Sequence, residues 1–589
     1  MPNPLLPNDR SKIAPFFAMP QGAVTLGVWT LASRVLGFIR DIAIAALFGG
    51  TWMADSFLVA FRLPNLARRL LGEGVFAYTI VPAYITARKS ESGQACGDAA
   101  AIFARSVILP VVAVFTLVAI AGIAFSHPLV LFLAPGLIAR PEALSLTALL
   151  MALCLPYLPL TASVAGSASL LLAERRFRPV ATAPLVFNCV ILASVAGIAA
   201  SNSAATTQSL YILASAVTAA GVAQWLWVSI PLAQHGFSLF GPVAFGKATH
   251  PSIVKVRQQA VAALCAMPGA SFAASSAQIN ILAATILASF LEEGSISALY
   301  FAERLIEFPL GILGVSLGLS ALTDLADSRF APNETEQAAA TQQRKALFTA
   351  SVVGIARLTL FLALPAAVGA ACLACPITAL LFGHGAFTSE AVSATTLAFV
   401  AYAPGLPALA LSRPLLAATS ALGDTRAGTR AATASLALTL ILGTVSFLLK
   451  TPWGLALAVS LAAWLHVSML WRALARHGII PSIGFSWLLR VLTGCALMAV
   501  CVLAVQGGLS SSFWRVFAGI PLGFCVYCAA GHLFDVRELS VCLAAFLPQR
   551  KVDQKKFTMK LVLVLAQYRH LLMGILSICI ATLVVKIFI

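Results

Sequence analysis

Apolar positions along this chain gather into long runs separated by short polar breaks. A helix needs about 20 mostly apolar residues to cross about 30 Å of hydrocarbon, and many of the runs reach that length. They lie near 23–49, 53–86, 99–125, 143–172, 179–200, 209–233, 256–291, 298–324, 346–381, 391–417, 431–449, 452–472, 485–507 and 514–534. The pattern predicts an all-α polytopic membrane protein with about 14 transmembrane helices, and 570–589 is a candidate fifteenth. Runs as long as 256–291 are expected to bend or to project beyond the bilayer.

Composition agrees with the pattern. Of 589 residues, 60% are hydrophobic and 10% charged, and the mean hydropathy is +0.94. Such a chain cannot solvate its own surface as an ordinary soluble globule does. The net charge of +17 invites a nucleic-acid reading, but the cations form no single patch interleaved with aromatics, so no nucleic-acid partner is expected. They alternate between connections instead. Arg88 and Lys89, Arg175 with Arg176 and Arg178, Lys247 with Lys255 and Arg257, Arg329 with Arg344 and Lys345, Arg426 with Arg430, and Arg472 with Arg476 fall in every second one. Excess positive charge marks cytoplasmic loops, which also puts the N-terminal segment, 1–22, in the cytoplasm. The intervening loops, "ASNSAATTQ" and "LEEGSIS" among them, hold little positive charge beyond Arg140 and Lys450. No apolar leader precedes the first span, so that helix is expected to act as its own insertion signal. The 12 cysteines are scattered, mostly inside apolar runs. Two CxxC pairs, Cys372 with Cys375 and Cys525 with Cys528, lack a histidine at ligand spacing, so neither a disulfide framework nor a metal or other cofactor is expected.

Against this background the charges inside the spans stand out, because each costs on the order of 2.5–3.5 kcal/mol at the bilayer centre. The first span contains "SRVLGFIRD". On a helix Arg34 and Asp41 share a face, and Arg40 is turned by about a third of a circle from Arg34. The second span carries Asp55, Arg62, Arg68, Arg69 and Glu73, with Pro64 expected to interrupt the helix and free carbonyls to line a cavity. Arg62, Arg68, Arg69 and Glu73 approach the cytoplasmic end of their span, where snorkelling or internal pairing accounts for them equally well. The eighth span has Glu303, Arg304 and Glu307 just before Pro309, and Arg304 and Glu307 are spaced to pair. Arg34, Arg40 and Arg304 have apolar sequence on both sides and too few neighbouring carboxylates to cancel them, which predicts a hydrated, net positive cavity. Such a cavity selects an anion, and the planar guanidinium fork suits phosphate oxygens. Phosphorylated lipids and soluble anions both remain open on this ground alone. Gly37, Pro64, Pro309, Gly311 and Gly314 are candidate bending points.

These segments carry a resemblance. "SRVLGFIRD", "ADSFLVAFRLPNLARRLLGEGVFAYTIVPAY", "ASFLEEGSISALYFAERLIEFPLGILGVSLG", "LLFGHGAFT", "LAPGL" (133–137), "AERRFRPVATAPLVFN" (173–188) and "GDTR" together resemble the MurJ (MviN) lipid II flippase family of the multidrug/oligosaccharidyl-lipid/polysaccharide superfamily. The resemblance implies two six-helix lobes, 23–235 and 236–478, and two further helices over 479–534 forming a groove for a lipid tail. Beyond them 535–589 would add a basic cytoplasmic segment and the possible extra helix. It implies transport of undecaprenyl-pyrophosphate-linked disaccharide pentapeptide, lipid II, from the inner to the outer leaflet of the bacterial inner membrane by alternating access. The pyrophosphate-binding role transfers to Arg34, Arg40 and Arg304. Asp41 and Asp55 match acidic cavity positions, Arg68 and Glu73 positions near the cytoplasmic entrance, and Glu307 joins them as Arg304's partner. Relatives that bind sodium use acids around the seventh helix, and this chain has none between Ala260 and Phe290, so no sodium site is expected. Lipid II and membrane lipids are the expected partners, cell-wall synthesis proteins are candidates, and a monomer is expected.

Three other readings compete. A flippase for another undecaprenyl-linked glycan would share the fold, but "RVLGFIRD" and "ERLIEFP" argue against it. A multidrug exporter would favour acids over arginines in its cavity. A lipid II-consuming membrane glycosyltransferase would need a carboxylate in an outer loop, and Asp55, Glu142, Glu292, Glu293 and Glu390 are available there, yet no motif supports it.

Overall fold

The computed structural model describes residues 23–71, 80–81, 84–85, 95–201, 206–234, 258, 260–261, 264–265, 275–326 and 338–546. Every regular element among the described residues is helical. In chain order these are α1 (Ala23–Phe48), α2 (Trp52–Leu70), α3 (Ala95–Ala124), α4 (Ser126–Leu133), α5 (Pro141–Cys154), α6 (Tyr157–Ala173), α7 (Phe177–Ala200), α8 (Thr207–Gln234), α9 (Ser276–Ala288) and α10 (Ser295–Ala326). There follow α11 (Ala338–Cys372), α12 (Ala374–Phe382), α13 (Ser389–Tyr402), α14 (Leu406–Ala421), α15 (Thr425–Leu448), α16 (Pro452–Arg476), α17 (Phe485–Gly508), α18 (Ser512–Leu533) and α19 (Arg537–Phe546).

Ten segments of these helices are long and apolar enough to span a membrane among the described residues, and they coincide with the third to sixth and ninth to fourteenth predicted runs. The first, second and eighth runs also form long helices, α1, α2 and α10, and these are the three that carry the charges noted above. Of the seventh run, α9 and a few isolated residues are described, while Glu73 and the candidate helix at 570–589 lie outside the described residues. Two spans are each built from a broken pair. Pro156 falls at the junction of α5 and α6, and a short 3-10 turn, Ala403–Gly405, joins α13 to α14.

Pro64 corrects the sequence reading, since α2 runs unbroken past it and the proline is buried. Proline removes one backbone donor, the one that would serve the carbonyl four residues back, but a helix packed among neighbours absorbs that loss. In the same way α10 continues through Pro309.

The chain divides into two compact units, one ending at Ser297 and the other beginning at Ala298. Within the N-terminal unit α1 lies along α7, α2 along α5, α3 against α6, and both α6 and α7 against α8. Within the C-terminal unit α16 collects α13, α14 and α15, while α11 packs on α14 and α17, and α17 pairs with α18. Outward faces are apolar. On α3, Val114, Leu117, Val118 and Ile120 stand exposed, and on α17 Leu489, Leu492, Leu497, Val500 and Leu503 do. In water such surfaces would aggregate, whereas against acyl chains they cost nothing.

Candidate functional site: buried arginines and their partners

Burial along α1 changes from one end to the other and not around its circumference. Val28, Trp29 and Arg34 are exposed, whereas every residue from Arg40 to Gly49 is buried. Arg34 and Asp41 therefore share a helical face without sharing an environment. Arg40 is 7% exposed and Asp41 2%. The guanidinium donates from Nε and from Nη2 to one oxygen, Asp41 Oδ1, at 3.0 and 2.7 Å. Its third nitrogen, Nη1, donates to Asn188 Oδ1 of α7 at 2.9 Å, and Asn188 Nδ2 donates in turn to the Ser33 carbonyl at 3.1 Å. Two opposite hydrogen bonds thus fix which way the Asn188 amide faces. Gly37 makes room for it: a Cβ there would lie 3.3 Å from Asn188 Nδ2.

α2 adds a second polar group. Thr51 caps its first turn, and Arg62, Asn65 and Arg69 are buried along it. Arg68 is half-buried and donates to Asn65 Oδ1 at 2.9 Å. Phe57 stacks on Phe61, Phe61 on Phe187, and Phe187 packs against Tyr157, whose hydroxyl reaches Gln224 at 3.4 Å. Asp55, near the start of α2, serves another helix. It accepts from the Gly294 and Ser297 backbone N–H groups at 2.8 Å each, and from the Ser297 hydroxyl, and so caps the N-terminus of α10. Gly294 has φ +80°, and a Cβ on it would fall 2.4 Å from the Gly50 carbonyl oxygen.

The connection from α9 to α10 has two more attachments in the same unit. Gly136 donates its N–H to the Ser289 hydroxyl at 3.1 Å, and Arg140 pairs with Glu293 at 2.6 Å. This gives the "LAPGL" stretch a physical reading, since a Cβ on Gly136 would stand 1.9 Å from the Ser289 carbonyl oxygen.

In the C-terminal unit Arg304 is 9% exposed, pairs through Nη1 with Glu307 Oε2 at 2.6 Å, and lies over the Tyr300 ring at 4.6 Å. Beside it Glu303 is buried. Phe301, on the same turn of α10, packs on Phe382 and Phe387 with ring centroids 5.0 and 5.6 Å away. The "LLFGHGAFT" segment therefore acts as packing behind the helix that carries Arg304.

The expectation that these arginines lack nearby carboxylates is corrected. Arg40 and Arg304 each hold an acid from their own helix. The Arg304–Glu307 pair follows the expected spacing, whereas Arg40–Asp41 joins adjacent residues whose side chains leave a helix about 100° apart. Asn188, Ser297 and Tyr300 are the residues that sequence reasoning missed. An amide in the middle of an apolar run is the signal that could have found Asn188.

Comparison with known proteins follows the same lines. The sequence profile of the family described as "Lipid II flippase MurJ" matches residues 44–522. The chain is 30% identical to the lipid II flippase MurJ of Burkholderia cenocepacia over 478 residues, covering 81% of this chain and 87% of that one. It is 31% identical to the probable lipid II flippase MurJ of Rhizobium tropici, covering 82% and 85%. Among solved structures it is similar in fold to a lipid II flippase MurJ in an inward closed conformation, with a TM-score of 0.69, 22% identity and coverage of 87% and 98%. A MATE transporter follows at a TM-score of 0.54 and 12% identity, covering 80% and 99%.

Proposed function

Because this chain belongs to the lipid II flippase MurJ family, we propose that it moves undecaprenyl-pyrophosphate-linked disaccharide pentapeptide from the inner to the outer leaflet of the bacterial inner membrane by alternating access. The family is one of transporters, and no covalent step is needed. Arg34, Arg40 and Arg304 are the diphosphate-binding groups in this reading, and the observation that carries it is the burial of Arg40 and Arg304 in helices of an otherwise apolar protein. Carrying a diphosphate and sugars through hydrocarbon unaided is prohibitive, and fixed guanidiniums replace the water that the headgroup loses. In this reading Asp41 and Glu307 are the acids that accompany those arginines, Arg68 and Glu73 keep the entrance role that the family resemblance implies, Asp55 fixes the start of α10, and N-terminal residues face the cytoplasm as the loop charges suggest. The exposed apolar side of α17 supports a role for 479–534 in holding the polyprenyl tail outside the polar lining.

The test is depletion with complementation. Cells losing this protein should accumulate inner-leaflet lipid II, and an Arg40→Ala copy, made and inserted at wild-type level, should fail to relieve the block. Normal growth and normal outer-leaflet exposure of the precursor with Arg40→Ala would remove the arginines from the reading.

A further inference from the structure

We infer that Asp41 and Glu307 are internal stand-ins for substrate phosphate: each occupies an arginine while the protein is empty and is displaced when a diphosphate arrives. The inference rests on the diphosphate-binding role proposed above for Arg40 and Arg304. Geometry at Arg40 carries it. The edge of a guanidinium made by Nε–H and the neighbouring Nη2–H is one of the two that take two oxygens of a phosphate in parallel. Asp41 covers that edge, but with both donors converging on the single oxygen Oδ1. As the next residue on the helix it cannot present its carboxylate squarely, so it fills the phosphate-recognising edge in a mode poorer than the one a phosphate would use.

The opposite nitrogen is treated differently. Nη1 is held by Asn188, a neutral amide anchored to the Ser33 carbonyl, so the guanidinium keeps its place when the anion on its other edge changes. One partner is permanent and uncharged, the other exchangeable and charged. Arg304, on another helix, shares only the pairing with an acid of its own helix, here through Nη1 and not through the Nε–Nη2 edge. It meets Glu307 through one short contact, Nη1 to Oε2, while the Tyr300 ring supports its flat face. Glu307 is 24% exposed in its side chain, so an incoming anion can reach it.

The arrangement answers a difficulty specific to a carrier. After release of the lipid the empty protein returns with its cations, and a buried guanidinium without a counter-charge is strongly unfavourable. A carboxylate one or three residues away supplies that charge at once, at the expense of affinity, since substrate must displace it. Loss of the acid therefore moves binding and turnover in opposite directions, which loss of a merely structural group does not.

The experiment uses the purified full-length chain in detergent, titrated calorimetrically with farnesyl diphosphate, with farnesol as the control for tail binding. Asp41→Asn and Glu307→Gln should each bind farnesyl diphosphate about ten-fold more tightly than wild type, the effect of removing one competing charge-assisted bond, with farnesol binding unchanged. In reconstituted vesicles or by complementation both should transport more slowly, and Asp41→Glu, which keeps the anion, should restore both properties. Glu307→Gln, at a partly exposed site, keeps the test open if Asp41→Asn folds poorly. Weaker or unchanged diphosphate binding in both neutral variants overturns the inference and leaves the diphosphate reading intact. Absence of diphosphate binding by wild type, with Arg40→Ala no different, overturns both.

Discussion

Removing the Asp55 carboxylate tests the hydrogen bonds that hold the start of α10. Asp55 is 7% exposed and takes two backbone N–H groups and one hydroxyl at the start of α10. In Asp55→Ala the cap is lost, a term of about 1 kcal/mol, and at least one buried donor is left without an acceptor, at about 1–3 kcal/mol. Together these come to about 3 kcal/mol of local stability, or a roughly hundred-fold shift in the opening equilibrium. Asp55→Asn keeps one oxygen for Ser297 but turns its NH2 toward the Gly294 N–H, so it should lose about half as much. The assay is hydrogen exchange followed by mass spectrometry on peptides spanning 289–300. The Gly294 and Ser297 amides should exchange about a hundred-fold faster in Asp55→Ala and about ten-fold faster in Asp55→Asn. Protection within three-fold of wild type in Asp55→Ala would refute the reasoning, because it would mean that these amides draw their protection from the helix alone.

Three further outcomes are expected. Asn188→Ala takes a partner from a buried guanidinium at about 1–3 kcal/mol, and should weaken farnesyl diphosphate binding and complementation while Asn188→Asp, which crowds Arg40 with a second acid, abolishes both. Gly136→Ala forces a methyl group against the Ser289 carbonyl and should cost about 1–3 kcal/mol, read as a lower melting temperature of the purified protein, whereas Gly354→Ala, where a Cβ meets nothing, should leave it unchanged. Burial first, and the Glu538 charge second, pushes the Cys542 thiol in α19 up to about 12, so at pH 8 N-ethylmaleimide should modify it at least a hundred-fold more slowly than an ordinary cysteine.

Hydropathy made the spans legible because hydrocarbon imposes one requirement, length, on every segment that crosses it. The ten apolar spans follow the predicted runs closely for that reason. The charged helices were legible too, since an ion in an apolar run is costly and therefore conspicuous. What the sequence hid was pairing. Counting acids near Arg40 failed because helical geometry turns Asp41 away from its neighbour, and the actual contact depends on side-chain reach, not on register. Asp55 was visible as an acid, but its partners lie 239 and 242 residues away and reveal nothing locally. Pro64 was over-read, since its effect on a helix depends on packing that no local pattern encodes.

The bond between Arg40 and Asn188 joins residues 148 positions apart. At about 5–20 residues per second, a ribosome needs roughly 7–30 s to make the second after the first. During that interval α1 has left the ribosome without the helix that completes its polar surroundings. Asp41 is synthesised one peptide bond after Arg40, so their mutual neutralisation is available from the moment both emerge. A chain with an acid only in a later helix would instead present a bare cation to the insertion machinery, and biogenesis would then favour retention or reversed orientation of its first helix.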